Sequence, residues 1–291
     1  MVCACIDIGS NTTRVLVAET RGGRLTEVLQ RRAFTRIGRG LDAGARIPRA
    51  KIEEVARVVA AQRRLAERAG AGALRAVATA AVRGAANRDE VVAAVRDGGG
   101  VDLTVLDGEE EARLAFLGAT RTHARALEGR VGVVDVGGGS TEIAVGTAAG
   151  GVEWWSSCAL GSGRLTDEHL RSDPPSAAEL HAMGEAAHEA LAGLDVPPAG
   201  YAMGVGGSAT SLRRLVGPVL DAESLERALG VLAAAPAATV AARHGIEPER
   251  VPLLPAGILI LGAVAQRLGR PLEIGCGGLR EGVLLDMAGS A

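Results

Sequence analysis

The chain has 291 residues, enough to bury a sizeable core and, by length, to form two domains of ordinary size. Hydrophobic residues make up 47% of it and aromatic ones only 2%, so the core must be built from Ala, Val, Leu and Ile, and aromatic base stacking is a poor candidate for binding. A net charge of −2 argues against a global basic field for nucleic acid or a membrane surface, so any anionic ligand must be held locally.

The N-terminus, MVCACIDIGS, has no positive leader and reaches Asp7 too soon for a signal peptide. Cys3, Cys5, Cys158 and Cys276 form no C-x-x-C pair and read as thiols of a reducing compartment, which places the protein in the cytoplasm. Lys51 is the single lysine; the other cations are Arg, whose fork suits phosphate and carboxylate oxygens.

"CIDIGSNTTRVLVAE", Cys5 to Glu19, reads as a strand ending in Asp, a loop of small residues, and an alternating strand. A long amphipathic helix is expected from Pro48 to Ala69, with Ile52, Val55, Val59 and Leu65 on its apolar side. A short buried strand begins at Leu74 and runs toward Arg83. Asn87 is expected to cap a helix with Glu90 at capping-box distance, and the next strand starts at Val101. From Asp107 a helix opens with Glu109, Glu110 and Glu111 in its first turn. Any of the three could be a solvated carboxylate complementing the helix dipole, or could point inward at the carboxyl end of the sheet, where α/β folds place ligands.

"VVDVGGGSTEIAVG", Val133 to Gly146, repeats the first hairpin without gaps: Asp7 falls on Asp135, Gly9 on Gly137, Thr13 on Thr141 and Val17 on Val145. The chain is therefore internally duplicated. Strand-like residues follow the glycines and Glu142 stands where a third fingerprint glycine would be, which rules out a dinucleotide-binding turn here. A tight turn needs only two residues, so the surplus of small ones points to backbone N–H groups aimed at phosphate oxygens, with Ser10, Thr12, Ser140 and Thr141 adding hydroxyls. Asp7 and Asp135 suit Mg²⁺ and its water shell. The plainer alternative is a pair of glycine turns with structural Asp residues, made less attractive by the shared positions.

In the second half, "LRSDPPSAAEL" from Leu170 is a loop before a helix, and "YAMGVGGSATSLRRL" from Tyr201 reads as strand, glycine turn and helix. Its turn is either a second phosphate loop or close strand–helix packing. "VPLLPAGILILGAVAQRLG" is apolar on nearly every side, a buried helix interrupted by Pro255 and Gln266 and short of a membrane span. A strand, a turn at Gly275 to Gly278 and a closing helix follow.

Together these stretches resemble the exopolyphosphatase and guanosine pentaphosphate phosphohydrolase family of the actin and sugar-kinase superfamily. The resemblance rests on Ile6 to Asn11, Ala78-Thr79 through Arg83, Gly108 through Arg113, Val134 through Glu142, Gly204 through Thr210, and Leu279-Arg280-Glu281-Gly282. It implies an α/β chain of two RNase H-like (actin-like ATPase) domains with an interdomain cleft, one formed by residues 1–125 with 280–291 and the other by residues 126–279. It implies hydrolysis of a terminal phosphoanhydride with Mg²⁺ or Mn²⁺. Glu111 would orient the attacking water and Arg83 would hold phosphate. Glu142 would help activate water or join Asp135 and Asp7 at the metal. Phosphate contacts fall to Gly9, Ser10, Asn11 and Thr12, to Gly137, Gly138, Gly139, Ser140 and Thr141, and to Gly206, Gly207 and Ser208.

The expected substrate is polyphosphate, of short chain because the helical extension of longer relatives is missing, or else guanosine pentaphosphate. A homodimer is expected, with no nucleic-acid or membrane partner. Gly84 and Cys276 depart from the family's usual Asp and polar residue, which bears on substrate preference. The competing readings are a small-molecule kinase, which lacks a visible acceptor Asp, and a non-catalytic polyphosphate or nucleotide sensor.

Overall fold

The computed structural model describes residues 1–41 and 44–289. It divides into two compact units, Met1–Thr122 with Gly277–Ala291, and His123–Cys276.

In the first unit, β1 (Val2–Ile8) and β2 (Thr13–Arg21) form the first hairpin, and β3 (Arg24–Ala33) adds an edge strand. Then come α1 (Arg49–Arg68), β4 (Ala73–Ala78), the single turn α2 (Ala80–Arg83), α3 (Arg88–Ala94), β5 (Leu103–Val105) and α4 (Gly108–Arg121). The sheet order is β3-β2-β1-β4-β5, with β1, β4 and β5 parallel. Alternation along β1 sends Ile6 and Ile8 to one face, against Ile52, Val55 and Val59 of α1. Cys3 and Cys5 go to the other, against Leu114 of α4.

The second unit repeats this plan. β6 (Arg130–Val136) and β7 (Thr141–Thr147) form the second hairpin, followed by β8 (Gly151–Cys158), α5 (Ser162–His169) and α6 (Ala177–Leu191). β9 (Tyr201–Val205), α7 (Gly206–Val216), β10 (Val219–Leu220), α8 (Ala222–Ala233), α9 (Ala237–His244), α10 (Leu254–Leu268) and β11 (Leu272–Ile274) complete it. The sheet runs β10-β11-β9-β6-β7-β8, so β8-β7-β6-β9-β11 reproduces the order of the first sheet. The stretch Val251–Leu268 is apolar enough by composition to cross a membrane, with mean hydropathy 1.7, yet Ile258, Ile260, Leu261 and Val264 lie in this unit's core.

The last helix, α11 (Leu279–Gly289), belongs to the first unit and lies on α4 at a glycine contact. A Cβ on Gly282 would fall 1.9 Å from the Leu114 carbonyl oxygen, and one on Gly118 would fall 1.9 Å from that of Gly278. The Gly282 of the closing motif therefore lets two helices touch. Arg113 reinforces this contact, donating to Glu110 at 2.6 and 2.8 Å and to Asp286 of α11 at 2.8 Å.

Two local expectations change. Asn87 does precede α3, but its side chain makes no cap: Oδ1 accepts from the Ile47 N–H and Nδ2 donates to the Ile47 carbonyl, so it braces the chain before α1. Glu90 reaches that side-chain amide rather than the Asn87 N–H, and no capping box forms. After β9 there is no separate glycine turn, because α7 begins at Gly206 with Val205 as its N-cap.

Candidate active site

The duplicated hairpins are matched in geometry. Asp7 stands opposite Arg14 and Ile8 opposite Thr13; Asp135 stands opposite Glu142 and Val136 opposite Thr141. Each loop is closed by a 2.9 Å bond, from Gly9 N–H to the Thr12 carbonyl and from Gly137 N–H to the Ser140 carbonyl. Neighbouring segments then occupy more loop carbonyls. In the first loop, Ser10 accepts from Gly38 at 2.9 Å and Asn11 from Arg36 at 3.0 Å. In the second, Gly137 accepts from Ser162 at 2.9 Å, and Gly138 accepts from both Gly163 and Arg164 at 3.0 Å. Among the described residues, the N–H groups of Ser10, Asn11 and Thr12, and those of Gly138, Gly139 and Ser140, have no acceptor in the chain. Loops whose carbonyls are tied back while successive N–H groups stay open are anion cradles.

The hydroxyls behave differently from the backbone. Thr141 is fully buried and donates to the Leu160 carbonyl at 2.5 Å, and Ser208 donates to the Val136 carbonyl at 3.3 Å. Thr12 accepts from Arg14 Nε at 2.9 Å. These side chains fix the loops, which leaves main-chain N–H groups to meet any anion at those positions. Gly207 and Ser208 present theirs in the first turn of α7, where N–H groups lack helical partners.

Of the three glutamates opening α4, Glu109 is exposed, Glu110 half-buried and bonded to Arg113, and Glu111 buried. The Asp107 side chain caps this helix by accepting from the Glu110 N–H, which fixes the rotation that turns Glu111 inward. Arg83 Nη1 donates to Glu111 Oε2 at 2.7 Å and to the Leu106 carbonyl at 2.9 Å. The structure therefore brings Arg83 and Glu111 together.

In the second unit Glu142 is buried and accepts from Ser157 Oγ at 2.8 Å, so Asp135, Glu142 and Ser157 form one row across β6, β7 and β8. Gly206, at φ +79°, lies so close that a Cβ there would be 2.1 Å from Asp135 Oδ1. Only glycine combines that backbone with that space.

The carboxylates fit a hard divalent cation. Asp7 Oδ1 is buried without a hydrogen-bond partner, and burial raises the Asp7 pKa against the lowering effect of Arg14 and Arg280. An unsatisfied carboxylate oxygen in such surroundings is a natural cation ligand. Among the described residues no three His, Cys, Asp or Glu side chains cluster at metal distance, so water and substrate oxygens would complete any coordination shell.

Several participants were not visible in the sequence. Gly161 is packed onto the second loop so tightly that a Cβ would lie 2.4 Å from Gly138 and Gly139 backbone atoms. No motif marks "LGSGR" in the sequence, and only the close approach identifies it. Ser157 was hidden in a strand with no motif. In the closing motif, Glu281 accepts from the Gly278 N–H at 2.9 Å, and with the Gln30 amide oriented so that its oxygen faces Arg280, both terminal nitrogens of Arg280 donate to it at 2.8 Å.

The Ppx/GppA phosphatase family matches residues 16–291. The chain belongs to this family. Exopolyphosphatase 1 of Mycobacterium tuberculosis is 31% identical over 298 residues, covering 96% of this chain and 86% of that protein. The guanosine-5'-triphosphate,3'-diphosphate pyrophosphatase of Aeromonas hydrophila is 28% identical over 307 residues, covering 99% of this chain and 59% of that one. The crystal structure of the Ppx/GppA family member from Aquifex aeolicus is similar over 100% of this chain and 98% of its own, with a TM-score of 0.82 at 28% identity. The Ppx/GppA chain described here thus has the family's two-domain, actin-like α/β fold, and the repeated sheet order is its internal signature.

Proposed function

We propose that this protein is an exopolyphosphatase that removes the terminal phosphate of inorganic polyphosphate by water attack. The observation carrying this reading is the pair of matched loops, each with three successive N–H groups lacking an acceptor, in a chain that also buries Glu111 against Arg83. The kinase alternative would need a second carboxylate poised over an acceptor hydroxyl, whereas Glu111 suits a water molecule. Family membership and the similarity to an exopolyphosphatase support hydrolysis over non-catalytic sensing.

In the reaction, Glu111 orients a water and accepts its proton as the oxygen bonds to the terminal phosphorus. The anhydride bond to the bridging oxygen breaks in line, releasing orthophosphate and a chain one phosphate shorter. Arg83, held by Leu106 and Glu111 through Nη1, would bind the phosphoryl oxygens with its guanidinium fork. The N–H groups of residues 10–12 in the first unit and of residues 138–140 in the second are each suited to phosphate oxygens, with Gly9, Gly137 and Gly206 permitting close backbone approach. Asp135 with Glu142 in the second unit, or Asp7 in the first, would hold a divalent ion, Mg²⁺ or Mn²⁺, which when bound neutralises phosphate charge. Ser157 keeps the Glu142 carboxylate in place. The reading extends to a cytoplasmic homodimer without nucleic-acid or membrane partners.

The test is phosphate release by the purified protein with Mg²⁺ from tripolyphosphate, long-chain polyphosphate and guanosine pentaphosphate. Release from polyphosphate is the expected result. Preference for the guanosine substrate would make it an alarmone phosphatase, and tight binding without release would make it a sensor.

A further inference from the structure

Glu110, next in sequence to Glu111, belongs to a ring of charges that the mechanism does not use. Arg113 of α4 donates to Glu110 at 2.6 and 2.8 Å and to Asp286 of α11 at 2.8 Å. Asp286 also accepts from Arg75 of β4 at 3.0 Å, and Arg75 stands 3.9 Å from Glu110, which closes the ring. Charge alternates around it, and it joins a strand and two helices of the first unit.

The four side chains are 26–42% exposed, so water screens the pairs and the ring adds little to stability. Its effect is geometric. Glu111 shares a stripe of α4 with Leu114 and Gly118, at spacings of three and four residues. That stripe meets α11, with the Leu114 carbonyl against Gly282 and Gly118 against Gly278. Bare backbone at the crossing removes the side-chain ridges that ordinarily set how two helices are rotated against each other. The ring supplies the missing reference on the neighbouring stripe, tying Arg113 to Asp286 and Glu110 to the arginines. Each residue of a helix advances by about 100°, so drawing Glu110 to the arginines turns the next side chain toward Arg83. Arg75 and Arg83 lie on one continuous segment, β4 passing through Thr79 into α2, and this segment meets successive glutamates of α4. The Asp107 cap fixes the end of the helix and the ring fixes its flank.

We infer that Asp286 is a positioning residue for hydrolysis: through Arg113, Arg75 and Glu110 it holds α4 at the rotation that sets the Glu111 carboxylate against Arg83. This rests on the reading of Glu111 as the residue that handles water. A group in that role must be held within about 0.5 Å of its working position, which calls for supporting contacts of this kind around it.

The experiment measures phosphate release from polyphosphate by Asp286→Asn and Asp286→Glu, each also in the Glu111→Gln background, at a temperature well below every melting transition. The expected result for Asp286→Asn is kcat lower by about tenfold, less than the roughly 10²-fold of a full ångström, with KM within about twofold. Asp286→Glu keeps the charge and should recover part of the loss. In the Glu111→Gln background, Asp286→Asn should leave the residual turnover within about twofold. An unchanged kcat, a KM that rises in step with the loss, or the same tenfold loss without Glu111 would overturn the assignment. Should Asp286→Asn fail to fold, Arg113→Lys puts the same question, because it keeps the charge and gives up the two-point grip on Glu110. A crystal structure of the folded variant separates the two levels. If wild type releases no phosphate, the polyphosphatase reading fails, while a Glu111 carboxylate shifted off Arg83 or split between two conformers still supports the positioning role. An unmoved Glu111 removes it.

Discussion

Gly161→Ala is the substitution that most directly asks whether the second loop must stay where it is. The added methyl would sit 2.4 Å from the Gly138 carbonyl carbon and oxygen and from the Gly139 nitrogen, all backbone atoms that no side-chain rotation can move aside. Carbon contacts settle near roughly 3.5–4 Å, so the loop or the start of α5 must retreat by on the order of 1 Å. That shift would pull the N–H groups of Ser162, Gly163 and Arg164 from the Gly137 and Gly138 carbonyls they hold. A misplacement of this size at a reacting group costs roughly 10²-fold in rate. Overpacking lowers stability by about 1–3 kcal/mol, which is about 2–4 °C in Tm per kcal/mol for a unit of this size. The assay is steady-state phosphate release at a temperature well below both melting transitions, paired with thermal melts. Gly230→Ala serves as the control: it lies in α8 with open space around it, and it should gain about 0.5–1 kcal/mol without touching turnover. If Gly161→Ala melts a few degrees lower and still turns over at the wild-type rate, loop position does not govern catalysis and the cradle argument is wrong.

Two further substitutions probe the carboxylates. Gly206→Ala would set a methyl against Asp135 Oδ1 in a backbone conformation costing about 1–2 kcal/mol for a side chain, so phosphate release should require more Mg²⁺ for half-maximal rate; an unchanged Mg²⁺ titration would detach Asp135 from metal binding. Asp7→Asn should abolish most activity yet raise stability at neutral pH by about 1 kcal/mol, because it removes a buried carboxylate oxygen that has no donor. A carboxyl whose pKa is raised on folding stabilises the fold while protonated, and this contribution is lost as pH rises through the folded-state value. The advantage of Asp7→Asn over wild type should therefore grow with pH and vanish in acid, which denaturant titrations across a pH series would read. An advantage that grows toward acid would reverse the assignment.

The parts of this fold that could be read from the sequence are those where one chemical requirement dominates. The two hairpins were readable because Asp, Gly and Thr recur at matching positions and the flanking strands are apolar on both sides of the sheet. α10 was readable because a helix buried all round has no polar face to show. β3 left no trace: as an edge strand with most side chains in solvent, it carries Arg24, Glu27, Arg31 and Arg32 without alternation. Asn87 misled because an Asn three residues before a Glu satisfies the capping pattern equally well when its amide is bonded to a distant segment. At the candidate site, carboxylates and glycines were legible by type; among Glu109, Glu110 and Glu111 the residues alone left the choice open and only the family resemblance pointed to Glu111, because which one turns inward depends on helix rotation, set by the Asp107 cap. Gly161 and Gly282 act through close approach of segments far apart in sequence. No local pattern encodes that.

The central claim is that a buried glutamate at the start of α4 handles the water that attacks a terminal phosphate. Its most direct test is phosphate release from polyphosphate by Glu111→Gln, measured together with direct substrate binding. The account predicts turnover lower by roughly 10²–10⁴-fold, as for loss of a general base, with binding nearly unchanged. Wild-type turnover in the variant, or equal loss of turnover and binding in a folded protein, would contradict it.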